Sequence, residues 1–175
     1  MMSKKQIARI ATKLFEKSGS KIPVPVVAVA KELGLTVLDV DMPNTGTRVP
    51  SGTLTTVEDK WVIGVNRLES YTRTRFTIAH EIGHYLLHKG QKFIDDFPAG
   101  ETFYRTGESS ALEREANFFA ASLLMPAKMV EQIWPQCDNP AHAAELFEVS
   151  EVSMTYRLKN MGLIGIRPTE NNTDA

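Results

Sequence analysis

Residues 80–84 read His-Glu-Ile-Gly-His, and this pentapeptide constrains the chain more than any other feature. Histidines four residues apart lie one above the other on a helix face, with Cβ atoms about 6 Å apart. Two imidazoles so placed converge on one cation, and Zn²⁺ takes histidine nitrogens at about 2.0–2.1 Å. The glutamate between them is displaced around the helix, close enough to exchange a proton at the metal without being a ligand. Zinc lowers the pKa of a water it holds to about 7, and a glutamate there can take that proton as the oxygen attacks a carbonyl. The ordinary alternative is a histidine pair satisfied by hydrogen bonds on a structural helix. Against it, three of the four histidines (His80, His84 and His88) fall within one short window of a helix-like pattern.

A catalytic zinc site needs three protein ligands and one open position. The metzincin pattern would put glycine and a third histidine at positions 87 and 90, where this chain has Leu87 and Gly90, so that class is excluded. His88, one turn beyond His84, fits a helix-end role or a place beside substrate better than a third ligand. His142 lies in an alanine-rich helix and reads as a surface or core residue. The expected third ligand is a carboxylate on the following helix, Glu113 or Glu115. Glu113 is preferred, because Asn117 follows one turn later on the same face, where an amide can orient a ligand histidine. Ala116 and Ala120 near that face permit close helix approach. Glu115 points elsewhere, toward Phe118, Phe119 and Ser122, and reads as a solvated or salt-bridged side chain. One structural role competes for Glu113: Ser110-Ala111-Leu112-Glu113 is also a capping box. Tyr85, His88, Tyr156 and Arg157 are the candidates for touching substrate or stabilising an oxyanion.

Apolar spacing predicts helices over residues 4–16 and 25–33, the second opening on Pro25 and closing before Gly34. A strand at 35–40 and a loop at Asn44 and Gly46 follow. Residues 52–56 and 61–65 predict a hairpin turning at Glu58-Asp59-Lys60. Its edge strand either covers the core or pairs with a peptide. The histidine motif then sits in a long helix over 72–88. The connection 89–109, with Gly90, Pro98, Gly100 and Gly107, is long enough to be a lid or to be disordered. Helices are predicted over 110–125, from Pro126 to 134, over 141–147, and from a cap at Ser150 to 161–162. The polar tail 170–175 is expected to be disordered.

Lys and Arg (20) balance Asp and Glu (21) to a net charge of −1, which excludes a whole-chain electrostatic nucleic-acid binder. The 175 residues, 42% hydrophobic, suffice for one compact domain and a small appendage. A single cysteine, Cys137, allows no intrachain disulfide and fits a reducing compartment; no motif around it suggests a nucleophile. The apolar runs 24–30 and 118–125 are too short to span a bilayer, and the first helix is amphipathic rather than a signal peptide. A cytoplasmic protein with no membrane partner is expected. Residues 143–160 have the rhythm of a helix-turn-helix, with Ala144, Phe147, Val149, Met154 and Leu158 packing and Thr155, Arg157 and Lys159 free. Glu145, Glu148 and Glu151 would repel phosphate, so a helical platform beside the site is the stronger reading and DNA binding the weaker.

Arg75-Phe76-Thr77-Ile78-Ala79-His80-Glu81-Ile82-Gly83-His84-Tyr85-Leu86-Leu87-His88 resembles the active-site helix of the ImmA/IrrE family of metallopeptidases. Glu113-Arg114-Glu115-Ala116-Asn117-Phe118-Phe119-Ala120-Ala121-Ser122-Leu123-Leu124-Met125-Pro126 resembles its second signature. The resemblance runs from the first helix to about Ile166, and nothing is carried over to the 89–109 connection. It implies that Glu113, the first acidic residue of the second signature, completes the zinc site. It also implies a gluzincin-like core and, as in characterised members, cleavage of a helix-turn-helix repressor that controls a mobile element, prophage or stress genes.

The expected architecture is therefore α+β. A gluzincin-like metallopeptidase core with a small β-sheet occupies residues 1–126, a helical extension 127–168 and a disordered tail 169–175. The expected activity is that of a zinc metalloendopeptidase with one Zn²⁺ per chain on His80, His84 and Glu113, Glu81 as general base and Asn117 behind a ligand. The rival is a catalytically silent zincin-fold protein that binds a repressor or DNA, or serves as a toxin–antitoxin component.

Overall fold

The computed structural model describes residues 1–42, 50–88 and 110–165. The predicted loop at Asn44 and Gly46, the 89–109 connection, the Ser110 side chain of the capping box and the 170–175 tail lie outside the described residues.

Helix α1 spans Lys4–Lys17. Ser3 caps it by accepting from the Gln6 amide while the Gln6 side chain bonds back to Ser3, a reciprocal arrangement that satisfies two otherwise orphaned donors. Ile7, Ala11, Leu14 and Phe15 recur at helical spacing and form its buried face. The short α2, Val26–Glu32, starts after Pro25. Three strands follow: β1 Thr36–Val40, β2 Gly52–Val57 and β3 Lys60–Asn66. Their order is β1-β3-β2, with β1 parallel and β2 antiparallel to β3. Val57 pairs with Lys60, so the hairpin turn is two residues long, and Glu58 and Asp59 both take left-handed conformations with φ of 48° and 61°. Such turns match the twist of the strands they join. β3 is central, and its stretch from Val62 to Asn66 is buried throughout, as a strand flanked on both edges should be.

The long helix α3, Tyr71–His88, carries the histidine motif. It is buried on most sides, because it packs against α2, β2, β3 and α4 (Ser110–Leu124). α3 and α4 approach closely at Gly83: a Cβ there would lie 3.0 Å from Phe119 Cδ1 and 3.3 Å from Ala116 Cα. Helix α5 (Ala127–Ile133), a 3₁₀ turn (Trp134–Gln136), α6 (Pro140–Phe147) and α7 (Glu151–Asn160) are the remaining elements of the described residues. Asn139 and Ser150 cap α6 and α7 by accepting from the His142 and Ser153 amides.

Ala144, Phe147, Val149, Met154 and Leu158 are all buried and join one hydrophobic core with residues of α1, α3 and α4. The expectation that Arg157 is free is corrected. Its side chain is buried, and its Nε donates to the Met125 carbonyl at 2.9 Å, satisfying an acceptor at the end of α4. A second arginine locks α3 to the α6–α7 corner: Arg75 Nε donates to the Glu148 carbonyl at 3.1 Å, and Nη1 lies 3.5 Å from the Glu148 carboxylate. Among the described residues, no helix is long and apolar enough to cross a membrane.

Candidate metal centre

Helical spacing brings the His80 and His84 rings together on α3, with their Nε2 atoms 2.9 Å apart. From α4, Glu113 places Oε2 3.4 Å from His80 Nε2 and Oε1 3.2 Å from His84 Nε2. These three residues offer one donor atom each, all within 4.8 Å of one another. His80 Nδ1–H donates to Asn117 Oδ1 at 2.9 Å, which leaves a lone pair on the Nε2 that faces Glu113. A bare imidazole nitrogen, a second imidazole and a carboxylate gathered at one point make an electron-rich pocket that a cation neutralises. Two nitrogens and one oxygen are a donor set that suits Zn²⁺. Burial alone would push the Glu113 carboxyl up; with no cation in place, protonation of the His80 and His84 nitrogens that face it supplies hydrogen bonds and positive charge that outweigh burial and hold the group well below the usual carboxylate range.

Glu81 is 6% exposed and borders a cleft of about 250 Å³. Gly52 at the start of β2 and Ser51 just before it form one wall of the cleft; Arg73, Phe76, Thr77 and His80 from α3 and Asn117 from α4 form the rest. Gly52 is indispensable to this shape, since a Cβ there would collide with Thr77 Cγ2 and lie 3.5 Å from Glu81 Oε1. The Asn66 amide donates to the Ser51 carbonyl, so alternation along an antiparallel pair turns the backbone groups of Gly52, Leu54 and Thr56 away from β3. Among the described residues, no strand pairs with that side of β2.

None of the four candidates for substrate contact lines the cleft. Tyr85 packs edge-on against Trp61, with ring centroids 5.6 Å apart. Tyr156 is 64% exposed on α7, and Arg157 is turned inward. The expectation that His88 lies beside substrate is corrected by its burial, which is complete at 0% exposure. Instead, His88 stands behind His84, with the two Nδ1 atoms 2.9 Å apart. Burial, followed by the charge of His84, pushes its pKa down, against the opposing pull of Glu115 and Glu113.

Of the two roles expected for Glu115, solvated or salt-bridged, the structure rules out the first and shows a contact of the second kind. It is 8% exposed, with Oε2 3.2 Å from His88 Nε2 and Oε1 accepting from the Met2 amide at 2.8 Å. A single-helix projection sets residues 113 and 115 about 200° apart, which conceals that a long side chain can reach around to the far turn of α3. The third histidine spaced by four in the motif was the available signal. Arg73, which no motif in the sequence singles out, donates from its guanidinium to Ser51 Oγ at 3.2 and 3.0 Å across the mouth of the cleft.

Residues 30–159 match the family described as the IrrE N-terminal-like domain. Over 106 residues the chain is 29% identical to the metallopeptidase ImmA of Bacillus subtilis (strain 168), an alignment that covers 59% of each protein. Over 101 residues it is 34% identical to the radiation response metalloprotease IrrE of Deinococcus radiodurans, covering 55% of this chain and 30% of that protein. The aligned part is thus about a third to three fifths of the length of these curated relatives. A solved structure of a Mycobacterium tuberculosis transcriptional regulator superposes with a TM-score of 0.63 at 19% identity, covering 88% of this chain and 47% of that one, a likeness of fold alone. With the family match spanning most of the chain and including both helices of the site, the protein belongs to the IrrE N-terminal-like domain family.

Proposed function

We propose that this protein is a zinc-dependent metalloendopeptidase with a gluzincin-like site. The observation that carries the reading is the meeting of His80, His84 and Glu113 within 4.8 Å, beside a cleft into which Glu81 opens. His80, His84 and Glu113 hold the metal, and Asn117 orients His80. A bound Zn²⁺ supplies Lewis acidity, which polarises a peptide carbonyl and makes water acidic enough to attack near neutral pH.

The chain's own residues do the rest. The outward backbone groups of Gly52, Leu54 and Thr56 pair with an extended peptide, laying its carbonyl across the cleft. Glu81 takes the proton of the attacking water and passes it to the leaving amine, as a general base and then a general acid. The buried walls of α3 and α4 hold these groups in place, so that little reorganisation accompanies reaction.

The proposed substrate is a helix-turn-helix repressor, which rests on the family resemblance; the names of the two metallopeptidase relatives support proteolysis alone. The helices α5–α7 act as a platform packed beside the site: Arg157, which a DNA-binding reading needs outside, is buried, while Glu145 and Glu151 are exposed. The test is incubation of the zinc-loaded protein with helix-turn-helix repressors from the same genome, followed by mass spectrometry of fragments. Cleavage that stops on chelation and in Glu81→Gln is expected. An intact repressor in the presence of fully zinc-loaded protein counts against this substrate.

A further inference from the structure

His88 and Glu115 lie behind His84, away from the cleft, and their contacts with it run in a single line. His84 Nδ1 is 2.9 Å from His88 Nδ1, and His88 Nε2 is 3.2 Å from Glu115 Oε2. The other carboxylate oxygen of Glu115 accepts from the Met2 amide at 2.8 Å, so both of its oxygens are engaged. α1, which follows Met2, packs along α4 and keeps that amide in place.

This line has a direction. A neutral imidazole carries its proton on one nitrogen and a lone pair on the other, and a carboxylate only accepts. Glu115 therefore draws the His88 proton to Nε2, leaving His88 Nδ1 as an acceptor. Among the described residues, His84 Nδ1 is the group that faces that acceptor, so the His84 proton sits on Nδ1. The remaining nitrogen of His84, Nε2, is left bare toward His80 and Glu113. The assigned tautomers leave the Nε2 lone pairs of His84 and His80 2.9 Å apart beside Glu113, where a cation would neutralise them. The opposite tautomer of His84 would instead set two lone pairs against each other at His88 Nδ1, 2.9 Å away and behind the gathered donors.

We infer that Glu115 and His88 form a positioning relay that holds His84 in the tautomer and ring orientation able to bind a metal through Nε2. The inference rests on the proposed ligand role of His84. The two ligand histidines are thus oriented by different devices. Asn117 acts on His80 in one step at the wall of the cleft, and Glu115 acts on His84 in two steps through a ring sealed from water. Neither His88 nor Glu115 touches substrate.

The test reads ring protons and zinc affinity rather than turnover. In long-range ¹H–¹⁵N spectra of the zinc-loaded protein, the relay requires a proton on His84 Nδ1 and on His88 Nε2. His88→Leu removes both hydrogen bonds and should lower zinc affinity by about 10–100-fold, the usual scale for losing a group that orients a ligand. In the metal-free form of that variant, His84 should spread over both tautomers. His88→Gln, whose amide offers an oxygen to His84 and a nitrogen to Glu115, should recover most of the affinity. Melting of the metal-free proteins reports folding separately. A His88 proton found on Nδ1, or a folded His88→Leu with unchanged affinity and an unchanged His84 tautomer, overturns the relay. Equal losses in the Leu and Gln variants overturn it too, since they would mark His88 as a packing residue. If His88→Leu does not fold, the wild-type spectrum still decides. If the wild type takes up no zinc, the ligand reading fails by itself, and the metal-free tautomers of His84 and His88 still test the relay.

Discussion

Gly83 of the motif helix meets Ala116 of α4 so closely that a Cβ on Gly83 would lie 3.3 Å from both Cα and the carbonyl oxygen of Ala116. This contact sets the distance across which Glu113 reaches His80 and His84. Alanine is the better helix former by about 1 kcal/mol, which taken alone would favour Gly83→Ala. The added methyl, however, meets backbone on one side and the fully buried Phe119 ring on the other, and neither can yield without moving a helix. Overpacking of this kind costs about 1–3 kcal/mol. Gly83→Ala is therefore expected to destabilise the protein in chemical denaturation and to weaken zinc binding. A stabilised variant with normal affinity would show that the helices are free to separate.

Glu81→Gln separates metal binding from chemistry. The amide keeps the size of the side chain and cannot take a proton. Zinc uptake should be unchanged, while cleavage falls by about 10²–10⁴-fold, the usual range for a lost general base. Turnover near wild type in a peptide-cleavage assay would remove Glu81 from the mechanism and leave the metal site standing.

Glu113→Ala and Asn117→Ala should differ in degree. The first removes the proposed ligand, whose two oxygens lie 3.4 and 3.2 Å from the imidazole nitrogens. The second removes only the acceptor that orients His80. Asn117→Ala should cost about 10–100-fold in zinc affinity, and Glu113→Ala more than that. Calorimetric titration of both variants ranks them, and a smaller loss for Glu113→Ala would displace Glu113 from the ligand set.

Gly52→Ala probes the cleft wall. Its methyl would collide with Thr77 Cγ2 and stand 3.5 Å from where Glu81 Oε1 now lies, forcing β2 away from α3. Cleavage should fall sharply, with zinc affinity within a few-fold of wild type, because His80, His84 and Glu113 lie on α3 and α4 rather than on β2. Loss of zinc together with activity would show that β2 also supports the metal.

Zinc should stabilise the fold by an amount that grows with the logarithm of its affinity. A ligand that binds only the native state adds about 2.7 kcal/mol when present at a hundred times its dissociation constant. Thermal melts of the metal-free protein should therefore rise with added zinc, and rise much less in Glu113→Ala. A melting temperature indifferent to zinc in the wild type would argue against a site held by the folded chain.

Much of this protein was legible in its sequence, because the signals involved are local. The spacing of His80 and His84 is a property of one helix, and so is the shared face of Glu113 and Asn117. The hairpin at Glu58 and Asp59, the cap at Ser150 and the buried face of α1 likewise depend on residues a few positions apart. Tertiary structure alone decided how separate elements face one another. Arg157 looks free along its own helix, yet α7 docks where the Met125 carbonyl needs a donor. Glu115 looks solvent-facing on α4, yet the far turn of α3 and the amide of Met2 close over it. His88 reads as a helix-end residue, but α4 turns it into a buried link between Glu115 and His84. The reason is physical: helical periodicity fixes the angle of a side chain about its own axis, whereas its partners and its exposure depend on which other helices pack there.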